Sequence, residues 1–262
     1  MSRDRKPQIY SGRDVEGIRA AAKVTAEVLE RLCQAVVPGM TTFDVDMLAA
    51  EYIRASGAKS ADLGYEGFPC YMCISVNEEV CHAVARRDHI IQPGDLVSLD
   101  LTLNLNGYCG DTCRTICAGM PPSPTRQKLM QVTEDALWAG IAQAYPGKTT
   151  NDIGRAVQSL VEANGFSIVR DFVGHGIGRH MHEAPEVRHY YTPGQETVLR
   201  PGMCICIEPM VNTGTWRVVV DRKDGWTVRT ADQSLSCQFE HQVLITHNKP
   251  EILTCLNNPR TV

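Results

Sequence analysis

Apolar residues recur at steps of three and four along the first stretch of the chain: Val15, Ile18, Ala22, Thr25, Leu29, Leu32, Cys33 and Val36. That spacing predicts an amphipathic helix from about 13 to 36, stopped by Pro38-Gly39. A second helix follows, with Thr41 or Thr42 at its cap, Val45, Leu48, Ala49, Tyr52 and Ile53 on one face, and Gly57 at its end. After Pro124 the pattern returns in Leu129, Val132, Ala136, Leu137 and Ile141, and Pro146-Gly147 closes it. A fourth helix carries Ile153, Ala156, Val157, Leu160 and Val161. Strands are expected over 72–76, 96–105, 203–208, 216–220, 226–229 and 238–246, with Asn106-Gly107 and Asp224-Gly225 as hairpin turns. Helix pairs placed ahead of strand-rich stretches make the fold class α+β. No glycine fingerprint opens a helix, so dinucleotide binding has no support.

The two halves of this pattern match each other. PGMTTFDV at 38–45 lies over PGKTTNDI at 146–153, an offset of 108 residues. Gly57 and Gly165 fall at the same offset, and so do PGDLVSLD at 93–100 and PGMCICIE at 201–208. Each match alone is a generic turn unit; three at one offset favour an internal duplication. Half-repeats of about 13–120 and 121–248 then make up a single domain, with 1–12 as a short N-terminal extension and 249–262 as a loose C-terminal tail.

The matched strands end in acids. Leu96, Ser98, Asp100 and Thr102 share one strand face, and Cys204, Cys206 and Glu208 share a face of the duplicate. A carboxylate in an apolar strand is costly unless it has a partner or a metal. Asp111 lies across the Asn106-Gly107 turn, where antiparallel pairing would bring it beside Asp100. Glu240 interrupts another apolar strand, and glycines at 174, 176 and 178 free the backbone around His175. Any one of these acids could be a salt-bridged or capping residue. Together, four carboxylates and one imidazole form a donor set for hard or borderline divalent ions, and two ions balance the charge better than one.

Composition narrows the setting. Of 262 residues 43% are hydrophobic, and 26 basic against 30 acidic residues give a formal net charge of -4, so neither disorder nor a dominant nucleic-acid footprint is indicated. No apolar run spans a membrane and no signal-peptide pattern opens the chain, which implies a cytoplasmic protein whose eleven cysteines are mostly reduced, buried small residues. Cys109 and Cys113 are expected to point away from the face of Asp111, or to its rim.

The segments CISVNEEVCHAV (73–84), LDLTLNLNGYCGDTCRT (99–115), GHGIGRHMHEAP (174–185), IEPM (207–210) and SLSCQFEHQVLIT (234–246) closely resemble bacterial-type, type I methionine aminopeptidases. The resemblance runs from about residue 13 to 248. It implies the pita-bread fold, a pseudo-twofold duplicated architecture with an antiparallel-rich curved sheet and flanking helix pairs. It also implies two divalent metal ions (Mn, Fe, Co or Zn) held by Asp100, Asp111, His175, Glu208 and Glu240. The implied activity is removal of the N-terminal methionine from nascent chains with a small second residue, by a metal-activated hydroxide attacking the first peptide bond. His82, His182 and Glu208 carry the implied catalytic roles: substrate contact, stabilisation of the carbonyl oxygen, and proton shuttling. Tyr65, Phe68, Cys73, Met181 and Trp226 match pocket positions; Phe68 stands where a Tyr is usual, Met181 where a Phe is, and Asp62 where a Cys is. Asn77, Glu79 and Ser236 match a structural Na or K site. Transient work near the ribosome and a monomeric state are implied as well, with no DNA or membrane partner. Only 26 positions separate His182 from Glu208, leaving no room for the type II insertion. A related X-Pro dipeptidase or aminopeptidase, which would need a large N-terminal domain, and an inactive binding protein on the same fold are the alternatives.

Overall fold

A computed structural model describes residues 6–256. Four α-helices occupy the expected places: α1 Arg13–Ala35, α2 Thr42–Ser56, α3 Pro124–Ile141 and α4 Thr150–Ala163. The second and fourth start in the same way. Thr41 accepts the Asp44 N–H while Asp44 takes the Thr41 N–H, and Thr149 and Asp152 repeat this capping box. Gly57 closes α2 in the left-handed conformation that glycine adopts without strain.

The duplication extends to individual hydrogen bonds. Gly39 N–H donates to Ile91 O and Gly147 N–H to Leu199 O; Thr42 N–H donates to His89 O and Thr150 N–H to Thr197 O. The short strand Lys59–Ser60 pairs with Asn104 and Leu103 in the strand Leu96–Leu105, and Ser167–Ile168 pairs with Asn212 and Val211 in the strand Met210–Asn212. Every one of these partners is displaced by 108 residues, so the repeated sequence folds twice into the same local unit.

Antiparallel ladders join the units. Leu96–Leu105 pairs with Tyr108–Cys117 through a two-residue turn in which Asn106 and Gly107 both have positive φ, as a tight hairpin requires. Cys73–Val76 lies on its other side. Val97, Leu99, Leu101 and Leu103 bury one face of the long strand under α1 and α2. The second core gathers α3 and α4 over Ile205, Ile207, Val211 and Val243.

The second half departs from the continuous strand of the first. The stretch expected over 203–208 is the strand Cys204–Ile207, a break at Glu208-Pro209, and then the strand Met210–Asn212; the stretch expected over 238–246 is likewise Ser236–Gln238 and His241–Leu244 around Phe239-Glu240. His241–Leu244 pairs with Cys204–Ile207, and Ser236–Gln238 with Met210–Asn212. The two breaks therefore face each other. Pro209 has no N–H for a ladder, which accounts for one of them.

The described parts of both extensions make contacts with the sheet. Tyr10 N–H donates to Gly202 O and the Tyr10 hydroxyl to Glu183. Glu251–Ile252 pairs with Leu244 and Val243, and Thr254 Oγ1 accepts the Gln242 N–H. These backbone groups of the sheet edge need partners, and the tail supplies them. Residues 1–5 and 257–262, at the far ends of the two expected extensions, lie outside the described residues.

Helix α1 lies close on the hairpin at Gly110, where a Cβ would sit 2.6 Å from Ala21 O and 2.5 Å from Thr25 Oγ1. Gly110→Ala is expected to cost about 1–3 kcal/mol through overpacking, read as a lower urea midpoint with an unchanged slope.

Candidate metal centre and substrate cavity

Five elements converge on one buried point. Asp111 lies opposite Thr102 in the hairpin register, which puts Asp100 one diagonal step away on the same face. His175 is centred in the strand Gly174–Gly176, next to Cys204–Ile207. Glu208 and Glu240 occupy the two facing breaks, and the Glu240 N–H there donates to Cys113 O. His175 Nε2 stands 3.4 Å from Glu208 Oε1 and 3.7 Å from Asp111 Oδ2. Its Nδ1 is 3.1 Å from Gly176 O; with that nitrogen donating, the Nε2 lone pair is left aimed at the carboxylates.

The glycines beside His175 have a different purpose from the flexibility read in the sequence. None of Gly174, Gly176 and Gly178 is among the positive-φ glycines. A Cβ on Gly174 would collide with Cys206 O, and one on Gly176 with Ala184 O. Close backbone approach is what demands glycine at 174 and 176, while at Gly178 the Tyr10 ring takes the space.

Burial raises the Asp111, Glu208 and Glu240 carboxyls well above the usual range, and the neighbouring carboxylates raise them further. Burial alone pushes Asp100 up to about 7. Asp111 Oδ1, Glu208 Oε1 and Glu240 Oε1 are buried without a hydrogen-bond partner. Oxygen atoms in that condition call for a cation. The donor set of carboxylates and one imidazole fits a divalent metal.

Several supports of this cluster carried no sequence signal. The His189 ring is buried, and its Nε2 accepts the Glu208 N–H at 2.9 Å, the donor that the break before Pro209 left free. Burial lowers this imidazole to about 3, so it stays a neutral acceptor. Gln242 Oε1 accepts the Asp111 N–H, and Thr112 Oγ1 donates to Glu240 O. Cys113 also departs from expectation. It faces Asp100 across the ladder, on the same face as Asp111, because residues two apart on a strand share a face.

A cavity of about 380 Å³ opens onto the cluster. The five expected pocket residues, Tyr65, Phe68, Cys73, Met181 and Trp226, all line it, as do Asp62, His82 and His182. Phe68 and Trp226 meet edge to face at 5.2 Å. The Tyr65 hydroxyl is 2.8 Å from His182 Nδ1, so a phenol donating there leaves the His182 proton on Nε2. His82, held at φ 53 with Phe172 against its ring, is lowered to about 4 by burial and by His182. Phe172 has no motif to announce it. Asp62, buried at the cavity wall, accepts the Thr102 N–H through Oδ2 at 3.1 Å, and burial, then Asp100, raises its carboxyl.

Asn77, Glu79 and Ser236 stand apart from the cavity lining. Asn77 O accepts the Ser236 N–H. The Glu79 carboxylate is engaged by Arg229 at 2.7 Å, by Arg86 at 3.3 Å and by the Val76 N–H, so its side chain is committed elsewhere. Buried Ser236 Oγ has no partner. No helix among the described residues is long and apolar enough to cross a membrane.

Comparison with known proteins agrees with this geometry. The model of metallopeptidase family M24 matches residues 16–247. Methionine aminopeptidase A of Synechocystis sp. is 46% identical over 94% of this chain and 96% of its own length. Methionine aminopeptidase of Escherichia coli is 42% identical over 94% of this chain and 93% of its own. A crystal structure of methionine aminopeptidase from Rickettsia prowazekii superposes with a TM-score of 0.92 at 39% identity, covering 95% of this chain and all of that one. The chain belongs to metallopeptidase family M24 and, within it, to the bacterial type I methionine aminopeptidases, with the pita-bread fold.

Two outcomes follow from the protonation states. Metal uptake at pH 7 should release protons from the raised carboxyls, less so as pH rises, measurable by calorimetry in buffers of different ionisation heat. His189→Leu should lower stability at pH 7.5 by about 1–3 kcal/mol, because the Glu208 N–H is left unpaired. Wild-type stability from His189 is fully present above pH about 6.5 and falls as acid protonates the unfolded imidazole first. The variant should therefore lose less stability between pH 6.5 and 4 in urea unfolding.

Proposed function

We propose that this enzyme removes the N-terminal methionine from nascent proteins and peptides whose second residue is small. The observation that carries the reading is the cavity itself: an apolar group of Phe68, Cys73 and Trp226 lines the same space as the carboxylates and histidines, with Met181 also in its wall. Those apolar side chains suit a methionine thioether, a soft and polarizable group. Asp100, Asp111, His175, Glu208 and Glu240 would hold two divalent ions, Mn, Fe, Co or Zn according to supply. Such ions, when bound, polarise a carbonyl and make water nucleophilic at neutral pH.

The remaining chemistry falls to the chain's own side chains. His182, with its proton on Nε2, donates to the carbonyl oxygen of the scissile bond as charge develops there. His82, neutral at physiological pH, contacts the substrate around the same amide. Glu208, already raised by burial and by neighbouring acids, accepts a proton and passes it to the leaving amine. The carboxylates of the cavity attract a free α-ammonium and give a blocked terminus nothing to match. That selects an exopeptidase.

This reading places the work in the cytoplasm, transiently near the ribosome, by a monomer without DNA or membrane partners. A Na or K ion near Asn77, Glu79 and Ser236 would be structural. The X-Pro and inactive alternatives are not favoured: the relatives are methionine aminopeptidases at 42–46% identity, and Asp111, His175 and Glu240 lie close enough together to hold an ion.

The test is release of free methionine from Met-Gly-Met-Met by metal-free protein and after addition of Mn or Co under anaerobic conditions. Metal-dependent cleavage is expected, with formyl-Met and Met-Pro peptides left uncut. His182→Ala should lower kcat by about 10²-fold or more with metal content unchanged. Cleavage of Met-Pro in place of the tetrapeptide would sink the assignment.

A further inference from the structure

The strand Cys204–Ile207 brings one more donor to the cluster. The Cys206 Sγ, a nitrogen of His175 and carboxylate oxygens of Asp111 and Glu240 all lie within 4.8 Å of one another. Bonds of ~2.0–2.3 Å from zinc to oxygen, nitrogen or sulfur allow two ligand atoms of one ion to stand at most ~4.6 Å apart, so the group is near coordination size before any ion draws it together. Cys206 is fully buried, Asp111 is 4% exposed and Glu240 2%. Asp111 Oδ1 and Glu240 Oε1 have no hydrogen-bond partner. Strand alternation turns Cys206 away from Ile205 and Ile207, which pack into the core under α3 and α4.

We propose that Cys206 is a sulfur ligand of the metal centre and biases it toward a thiophilic divalent ion, zinc or cobalt, over manganese. As the ion enters, the thiol proton leaves to bulk water and the thiolate sulfur takes a coordination position beside the Asp111 and Glu240 oxygens and the His175 nitrogen. The inference rests on the metal-centre reading above.

Metal-free full-length protein, titrated anaerobically with Co(II), should develop a near-ultraviolet thiolate-to-cobalt charge-transfer band. Cys206→Ser should still bind cobalt but lose the band, whereas Cys113→Ser, altered beside the same cluster, should keep it. Competition between Zn(II) and Mn(II) should show the zinc preference falling about tenfold or more in Cys206→Ser, as expected when a soft donor becomes a hard one. X-ray absorption of the zinc-loaded wild type should find one sulfur at ~2.3 Å, and this measurement stands even if the variant misfolds. Bound metal with only oxygen and nitrogen neighbours overturns the sulfur ligand and leaves the metal centre intact. A band that survives in Cys206→Ser places the sulfur elsewhere and overturns it too. Failure of wild-type protein to bind either metal removes both readings.

Discussion

Four carboxylates are buried at one point in this protein, and the rest of the architecture answers to that constraint. Burial raises all four carboxyls, and neighbouring acids raise those of Asp111, Glu208 and Glu240 further. Without a cation the cluster is a net electrostatic cost, since like charges in a region of low dielectric repel strongly. The fold holds the acids in place by hydrogen bonds to their backbones. His189 takes the Glu208 N–H, Gln242 the Asp111 N–H, and Thr112 reaches Glu240 O. One carboxyl oxygen each of Asp111, Glu208 and Glu240 is left without a hydrogen-bond partner, open to a metal.

Duplication is how the fold brings such groups together. Each half repeats the capping box, the turn glycines and the short antiparallel pairing at one offset, and the matched stretch of each carries an acid to the site, Asp100 in the first and Glu208 in the second. Asymmetry then does the chemistry. The first half keeps a continuous strand and a tight hairpin, presenting Asp100 and Asp111 from a regular ladder. Pro209 breaks the equivalent strand in the second half, and the facing strand breaks at Phe239-Glu240. Side chains at such breaks leave the strict up-and-down alternation of the pleat, which lets Glu208 and Glu240 approach His175.

Much of this was legible in the chain. Helix spacing located all four helices, because periodicity and capping are local properties. The five candidate ligands stood out as acids and an imidazole where apolar residues belong, and the resemblance to methionine aminopeptidases supplied the pocket residues that line the cavity. The supports of the site were hidden. His189 and Phe172 sit in stretches without periodicity or motif, and a histidine or phenylalanine there reads equally well as surface or core. The strand breaks were hidden too, since an apolar run with one acid looks like a single strand.

The sequence by itself determined the local units, their repetition and the identity of the chemistry-bearing residues, because periodicity, caps and turn glycines act over a few residues. Tertiary structure decided what those residues do. It turned Gly174 and Gly176, beside His175, from sources of flexibility into points where two backbones nearly touch. It brought Cys113 and Cys206 to the metal face, and it stitched the C-terminal segment onto the sheet edge. Each of these outcomes depends on partners far apart in the chain, such as Glu208 with His189 or Asp111 with Gln242. Only the closed packing of the two halves, which brings these backbone groups and their distant partners together, selects among them.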